Sequence, residues 1–376
     1  MEEGIHISRR AGGWLVAVVA LGTYANTIGH QFTWDDHYNV VNNEAIRDLG
    51  NLPQLWTQAW GSQASESMNQ GINANYWRPV VLTLFSIDYA LFGLDPLSFH
   101  ASNVLWHALA CVLLWLLAVR LVPTRGPPRW GLLFGALAFA VHPLHTEAVN
   151  VITYRTDLVA GVCTLGALLA WLGVSGERGE ASARRGVFLW APLLYALGVG
   201  SKELAVTVPV LVALLDLLFP PHPLSLRDRA VRLAPMGLVL VGYLGIRAAL
   251  LSPSDYSYFG DSPPSVVLFT MLGVFGMYAR LLLVPWPLNP FYDWSALPFE
   301  PSLFAPRPLL GLLMLVLWFG AIAWSWKRRP AVAFFLSLYL IVLFPVSQVV
   351  PVVVAMAERF LFVACAGPLM VLGIVG

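Results

Sequence analysis

Charge is scarce in this chain of 376 residues: Asp, Glu, Lys and Arg make up 11% of it, against roughly 25% in ordinary soluble domains. So little charge cannot cover the two or three water-soluble domains that the length alone would allow. The few charges nearly balance, at a formal net +1, so the basic excess expected of a nucleic-acid binder is missing. Cysteine is nearly absent. Cys111, Cys163 and Cys365 all lie inside apolar runs, where they read as small buried hydrophobes and argue against a disulfide framework. Internal repeats and low-complexity tracts are missing too, apart from a Pro-rich loop around 219–223. What fills the chain is apolar: 58% hydrophobic residues with 15 Trp and 20 Phe, at a mean hydropathy of +0.69. Its solvent is mostly lipid. The composition predicts an all-α polytopic membrane protein.

Apolar runs occupy 13–29, 97–119, 130–141, 147–174, 187–200, 204–219, 233–251, 308–326, 331–346 and 360–376. Most approach the roughly 20 residues of a spanning helix, and the shorter ones end at polar motifs suited to the membrane surface. About ten spanning helices are expected. The first run follows Arg9 and Arg10 without a small-residue cleavage site and reads as a retained helix. Basic residues set the orientation. Arg9 and Arg10, Arg120, Arg125 and Arg129, Arg178, Arg184 and Arg185, Arg227, Arg229 and Arg232, and Lys327, Arg328 and Arg329 lie on alternate sides of successive runs. They define a cytoplasmic face that includes the N-terminus. The segments 79–93 and 265–285 would break this alternation, so they are expected to lie in the outer interface or to re-enter from it. The organisation predicted is one membrane domain over 1–376, with large outer loops at 30–96 and 252–307.

Most acids fall on the outer face, and the basic residues there have no part in orientation, so they invite a chemical reason. The first outer loop opens with FTWDDH, which puts Asp35 and Asp36 just above the bilayer. Adjacent carboxylates at a membrane mouth can be a general base, a pair of metal ligands or solvated loop acids. Arg78, in YWRPV, ends the same loop and is expected to face them across it; its plain role is an interfacial anchor beside Tyr76 and Trp77. In HPLHTEAVNVITYRTDLVAG, Glu147, Asn150, Tyr154 and Asp157 follow helical offsets and share one face if the run is one helix. Arg155 falls on a neighbouring face. His142 and His145 form an H-x-x-H beside a proline, a weak metal signal, and no metal site is predicted. Lys202 with Glu203, and Glu358 with Arg359, read as local ion pairs at helix starts, although several such pairs on one face of one bundle also suit a site. His100, Asn103 and His107 form a polar stripe expected to hydrogen-bond between helices. Asp293, in FYDWS, has no role that physics alone assigns.

Acids above a membrane and cations at its outer boundary suit a lipid-linked anionic donor. Arg gives phosphate bidentate, charge-assisted bonds, and cations aimed at a departing phosphate lower that barrier. A carboxylate opposite can deprotonate the acceptor hydroxyl as the sugar passes through an oxocarbenium-like state. A transporter is the competing class, but transporters place ionisable groups near the midplane on broken helices, whereas these cluster at outer helix ends. A non-catalytic scaffold explains the aromatics and leaves the charges unexplained.

WDDH after the first helix, Y-x-RP before the second, F-H-x-x-N-V-x-x-H, HP-x-HTEAV with a following R-x-D, KE, DWS and AER-x-L-F occur in order. In that order they resemble the membrane part of the transmembrane and tetratricopeptide repeat-containing O-mannosyltransferases, from about Trp34 to Phe362. The resemblance implies a GT-C type fold and a polyprenyl-phosphate-linked mannose donor. It also implies Ser/Thr acceptors on proteins, with transfer to a lipid or glycan as the alternative. By motif, Asp36 and Asp35 are the base candidates. Arg78, Arg155, Lys202 and Arg359 are cations for the donor phosphate. His142, His145, Glu147, Tyr154, Asp157, Glu203, Asp293 and Glu358 orient them or touch substrate. No cofactor is called for; related folds include both metal-dependent and metal-independent enzymes, and the sequence shows no dedicated metal cage. Family members carry tetratricopeptide repeats after the membrane region, whereas this chain ends at Gly376 inside an apolar run.

Overall fold

The computed structural model describes residues 7–60, 76–122, 130–173, 182, 184–251 and 258–376. Parts of both large loops (61–75 and 252–257), and the basic residues Arg125, Arg129 and Arg178, lie outside the described residues. Among the described residues there is no strand, and every apolar run is helical. The principal helices are α1 (Arg9–Thr23), α2 (Pro79–Phe92), α3 (Pro96–Leu121), α4 (Trp130–Val141), α5 (Arg155–Trp171), α6 (Ala191–Val199), α7 (Val208–Leu218), α8 (Leu226–Leu250), α9 (Pro264–Leu283), α10 (Pro306–Arg328), α11 (Pro330–Leu343) and α12 (Ala366–Val375).

By length and apolarity six helical segments can cross a bilayer, or eight if each of two bent pairs crosses as one. This is the architecture of an all-α polytopic membrane protein. The difference from the ten expected comes from short helices: Gly186–Val199 and Pro330–Val346 are apolar but brief, and α7 has 11 residues. The segment read as interfacial, α9, is continuous over 20 residues and apolar enough to cross. Gly273 and Gly276 in its middle lie against Arg307 and Gly311 at the start of α10, while Leu282 near its end accepts from His142.

Local chemistry sets the ends. Ser8 and Asp95 accept from the backbone of the first turns of α1 and α3, and Ser225 forms a capping box with Asp228 at α8. Proline opens α2, α3, α7, α9, α10 and α11, where its missing N–H costs nothing. Pro143 bends the α4 pair by 42°.

Helix α5 is the axis, buried along nearly all its length. Around it α3, α6 and α7 pack directly, α1 and α4 pack on α3, and α12 joins α4 to α11, with α9 and α10 reached through α11. Small residues let backbones approach. A Cβ on Gly131 would collide with the Gly373 carbonyl, and one on Gly311 with that of Leu272. Helices α8 and α10 turn most of their apolar side chains outward, Leu238 and Leu317 among them. In water such faces would be costly; in lipid they are the ordinary surface.

The two ends of the bundle differ. At one, Asp216 accepts from both Arg232 Nε and Nη2 at 2.9 Å and from Trp171 Nε1 at 2.9 Å, tying α5, α7 and α8 together beside a row of basic residues. At the other end lie the acids and cations singled out above.

Candidate active site

The site end is built where helices break. The run read as one helix through Glu147, Tyr154 and Asp157 is interrupted: a short helix Thr146–Asn150, an extended Val151 and a 3-10 turn Ile152–Tyr154 precede α5. The shared helical face is therefore lost. Asn103 on α3 accounts for the break, because its Nδ2 donates to the carbonyls of Val149 and Val151, each at 3.2 Å. His107 likewise meets the Ala140 carbonyl at 3.1 Å beside the Pro143 bend. The polar stripe on α3 thus satisfies the carbonyls that neighbouring helices release.

The structure separates the two acids of the first loop. Asp36 is fully buried. Its Oδ1 accepts from Thr153 N at 2.8 Å and Thr153 Oγ1 at 2.9 Å, and its Oδ2 from Thr33 N at 3.1 Å. It fastens the loop to the broken segment before α5. Asp35 is exposed and, among the described residues, its side chain accepts one hydrogen bond, from the Tyr154 hydroxyl at 3.1 Å. The preceding Trp34 stands at φ 45°, a strained backbone for a bulky side chain.

Tyr154 also carries the nearest cation. The Arg359 guanidinium lies 4.2 Å over its ring and pairs with Glu147, whose other oxygen accepts from Arg359 N at 2.7 Å. Next to it Lys202 Nζ contacts both Asp157 oxygens at 2.5 Å. Lys202 and Arg359 approach the same Phe360 ring, at 5.2 and 5.4 Å. A cavity of about 10 Å³ between them is lined by Asp157, Thr164, Lys202, Thr207, Arg359 and Phe360. Burial draws the Lys202 pKa down to about 8; Asp157 opposes the fall, and Arg359 and Arg78 add to it.

Several expected pairings are corrected. Arg78 faces Glu203 (Nη2 to Oε2 2.8 Å) and not the two acids of its own loop. The start of α2 docks on the turn after α6, where Val80 N bonds the Gly200 carbonyl at 3.1 Å, and this brings Arg78 to Glu203. Burial works against the Glu203 charge, but Arg78 outweighs it and holds the carboxyl below its ordinary pKa. Lys202 and Glu203 are therefore not a local pair; each bonds a different helix. Glu358 and Arg359 also separate. Glu358 accepts from Asn289 N at 2.6 Å and Tyr292 Oη at 2.9 Å, anchoring the second large loop.

Three candidate groups are not brought into this cluster. Arg155 is fully buried, with Nη1 on Asp88 at 2.6 Å, Nε on Asn103 at 2.8 Å and Nη2 on the Phe99 carbonyl at 2.9 Å. It locks α2, α3 and α5 together. His142 and His145 sit in an aromatic core with His107, Phe139 and Phe362. Asp293 caps its own turn through Ser295 and Ala296. Among the described residues no group of three or more His, Cys, Asp or Glu is arranged to hold a metal ion. Sequence reasoning passed over Asp88, the Arg155 partner, and Arg247, whose Nη1 lies 3.9 Å from Glu203. The signal for Asp88 was a carboxylate inside an apolar helix.

No family model and no solved structure matches the chain. Curated proteins do match. It is 30% identical over 311 residues to protein O-mannosyl-transferase Tmtc1 of Drosophila melanogaster, covering 82% of this chain and 32% of that protein. It is 32% identical over 311 residues to Tmtc2 of the same organism, covering 77% and 31%. With human TMTC4 the identity is 28% over 327 residues, covering 75% and 43%. The chain spans about a third of the length of the first two relatives and somewhat more of the third. Over most of its own length, then, this chain is a homologue of the TMTC protein O-mannosyl-transferases.

Proposed function

We propose that this chain is the membrane-embedded catalytic unit of an inverting glycosyltransferase with a GT-C type fold. It moves mannose from a polyprenyl-phosphate donor to a hydroxyl of a protein Ser or Thr on the extracytoplasmic side, with the N-terminus and the basic end of the bundle in the cytoplasm. In this reading Asp35 takes the proton of the acceptor hydroxyl. That oxygen forms the new bond to the anomeric carbon as the bond to the donor phosphate breaks through an oxocarbenium-like state. The products are the inverted glycoside and polyprenyl phosphate, with the proton on Asp35. Lys202, Arg78 and Arg359 face the charge that grows on the departing phosphate, and Glu147, Asp157 and Glu203 hold those cations in place. Asp36 fixes the loop that presents Asp35. Glu358 holds the second large loop beside the site.

The observation that carries the reading is the sequence Asp35, Tyr154, Arg359: an exposed carboxylate and a cation held on two sides of one tyrosine. A single displacement needs its base and its phosphate ligand on opposite sides of the anomeric carbon, and the two ends of Tyr154 suit that separation. Support also comes from the names of the relatives, which are protein O-mannosyl-transferases. The test is to incubate purified protein in detergent with polyprenyl-phosphate mannose and a Ser/Thr-rich acceptor, following release of polyprenyl phosphate. Release that is lost in Asp35→Asn supports the reading. A donor that binds and is never consumed with any protein, glycan or lipid acceptor defeats it, and donor moved intact across a vesicle membrane would put a transporter in its place.

A further inference from the structure

Apart from the locked Arg155, four described cations stand in or beside the cluster: Arg78, Lys202, Arg247 and Arg359. Three hold a carboxylate in direct contact, Arg78 with Glu203, Lys202 with Asp157 and Arg359 with Glu147. Arg247, in the last turn of α8, does not. Its Nη1 comes only within 3.9 Å of Glu203 Oε1, an oxygen already facing Arg78 Nε at 3.4 Å. That nitrogen is buried and, among the described residues, has no hydrogen-bond acceptor. A buried, charged N–H without an acceptor is unfavourable, and such a group has its use when a ligand supplies the missing oxygen.

Access favours the same place. An anion approaching Lys202 or Arg359 must compete with a carboxylate at contact distance and enter a cavity of about 10 Å³, room for about one water. The Arg247 side chain is 36% exposed, so an anion can reach it and competes only with the longer, 3.9 Å contact to Glu203. Arg78 lies on the other side of Glu203, over the Tyr76 ring at 4.1 Å. Arg78 Nε and Arg247 Nη1 approach the same Glu203 Oε1, at 3.4 and 3.9 Å. Two planar forks flanking one position match the oxygens of a phosphate ester.

We infer that Arg247, with Arg78 across Glu203, receives the phosphate of the lipid-linked donor. This rests on the glycosyltransferase reading above. Arg247 supplies the donors that the paired cations cannot offer until their own carboxylates give way, and it acts as the first phosphate ligand on the path to Lys202 and Arg359.

The experiment titrates farnesyl phosphate, farnesol and inorganic phosphate onto detergent-purified protein carrying Arg247→Gln, Arg247→Lys or Arg307→Gln. Arg307 makes an ion pair of the same 3.9 Å length, with Glu300, outside the site. Arg247→Gln is expected to weaken farnesyl phosphate about tenfold or more, the loss of one charge-assisted contact. Arg247→Lys should recover part of that loss, and Arg307→Gln should bind like the parent. Farnesol should be indifferent to all three. Inorganic phosphate following the same order identifies the headgroup as what is read; a loss confined to farnesyl phosphate still places the lipid phosphate at Arg247. The melting temperature of Arg247→Gln should not fall, because the residue lacks a hydrogen-bonded carboxylate; a fall that Arg247→Lys reverses without restoring binding overturns the inference in favour of a structural role. Unchanged farnesyl phosphate affinity in Arg247→Gln overturns it as well. Normal sugar transfer by that variant would then leave the glycosyltransferase reading standing. Arg247-dependent phosphate binding in a parent protein that transfers no sugar would remove that reading and keep the anion site.

Discussion

Tyr154 binds Asp35 with its hydroxyl, at 3.1 Å across 119 positions of sequence, while its ring lies 4.2 Å beneath the Arg359 guanidinium. One side chain thus sets the distance between the candidate base and a candidate phosphate ligand. The two contacts use different parts of the residue, so they can be removed separately.

Tyr154→Phe deletes the hydroxyl and keeps the ring. It should lower kcat by about 10- to 100-fold, part of the roughly 10²–10⁴ that a positioned base supplies, and leave KM for donor nearly unchanged. Tyr154→Ala should raise KM as well, because Arg359 loses its stacking surface. Steady-state kinetics on both variants decide it. Equal changes in the two would refute the division of labour.

The two adjacent acids should fail in different ways. Asp35→Asn is expected to abolish turnover with an unchanged melting temperature, since the site is exposed and the amide oxygen can still accept from Tyr154. Asp36→Asn places an amide against backbone and hydroxyl donors and leaves a buried N–H unsatisfied, costing about 1–3 kcal/mol. Thermal unfolding in detergent, read beside turnover, separates them.

Asp88→Ala strands the Arg155 charge in the interior of the bundle. Breaking a buried pair in this way costs about 3–5 kcal/mol, whereas the double variant Asp88→Leu with Arg155→Met should recover most of the loss. If the single and double variants unfold at the same temperature, the pair does not hold α2 to α5.

Donor affinity should depend on pH through Lys202, whose pKa burial draws down to about 8. Below that pH the amine is charged and meets the phosphate fully. As pH rises above it the free protein loses the charge first, while bound phosphate holds it on, so affinity falls by up to about tenfold per pH unit. Lys202→Arg, which stays charged, should flatten the profile between pH 8 and 10. A profile identical in parent and variant would assign the titration elsewhere.

The membrane class and the helical runs were legible in the sequence. Transfer from water to lipid adds up along the chain, so a run of apolar residues declares itself without knowledge of its neighbours. The polar stripe on α3 was legible for a related reason, because a buried amide or imidazole must find a partner. Which partner each charge takes was not legible. Arg78 meets Glu203 at a separation of 125 positions and Arg359 meets Glu147 at 212, while Arg155, chemically equivalent, is spent on Asp88 at 67. A charge attracts any opposite charge, and in sequence the near ones look best, which is why Lys202 with Glu203 and Glu358 with Arg359 read as pairs. Helix breaks at Pro143 and Val151, and the docking of α2 on the Gly200 turn, set the actual distances. Asp35 and Asp36 are identical side chains one residue apart, and only the packed fold buries one among donors and leaves the other exposed.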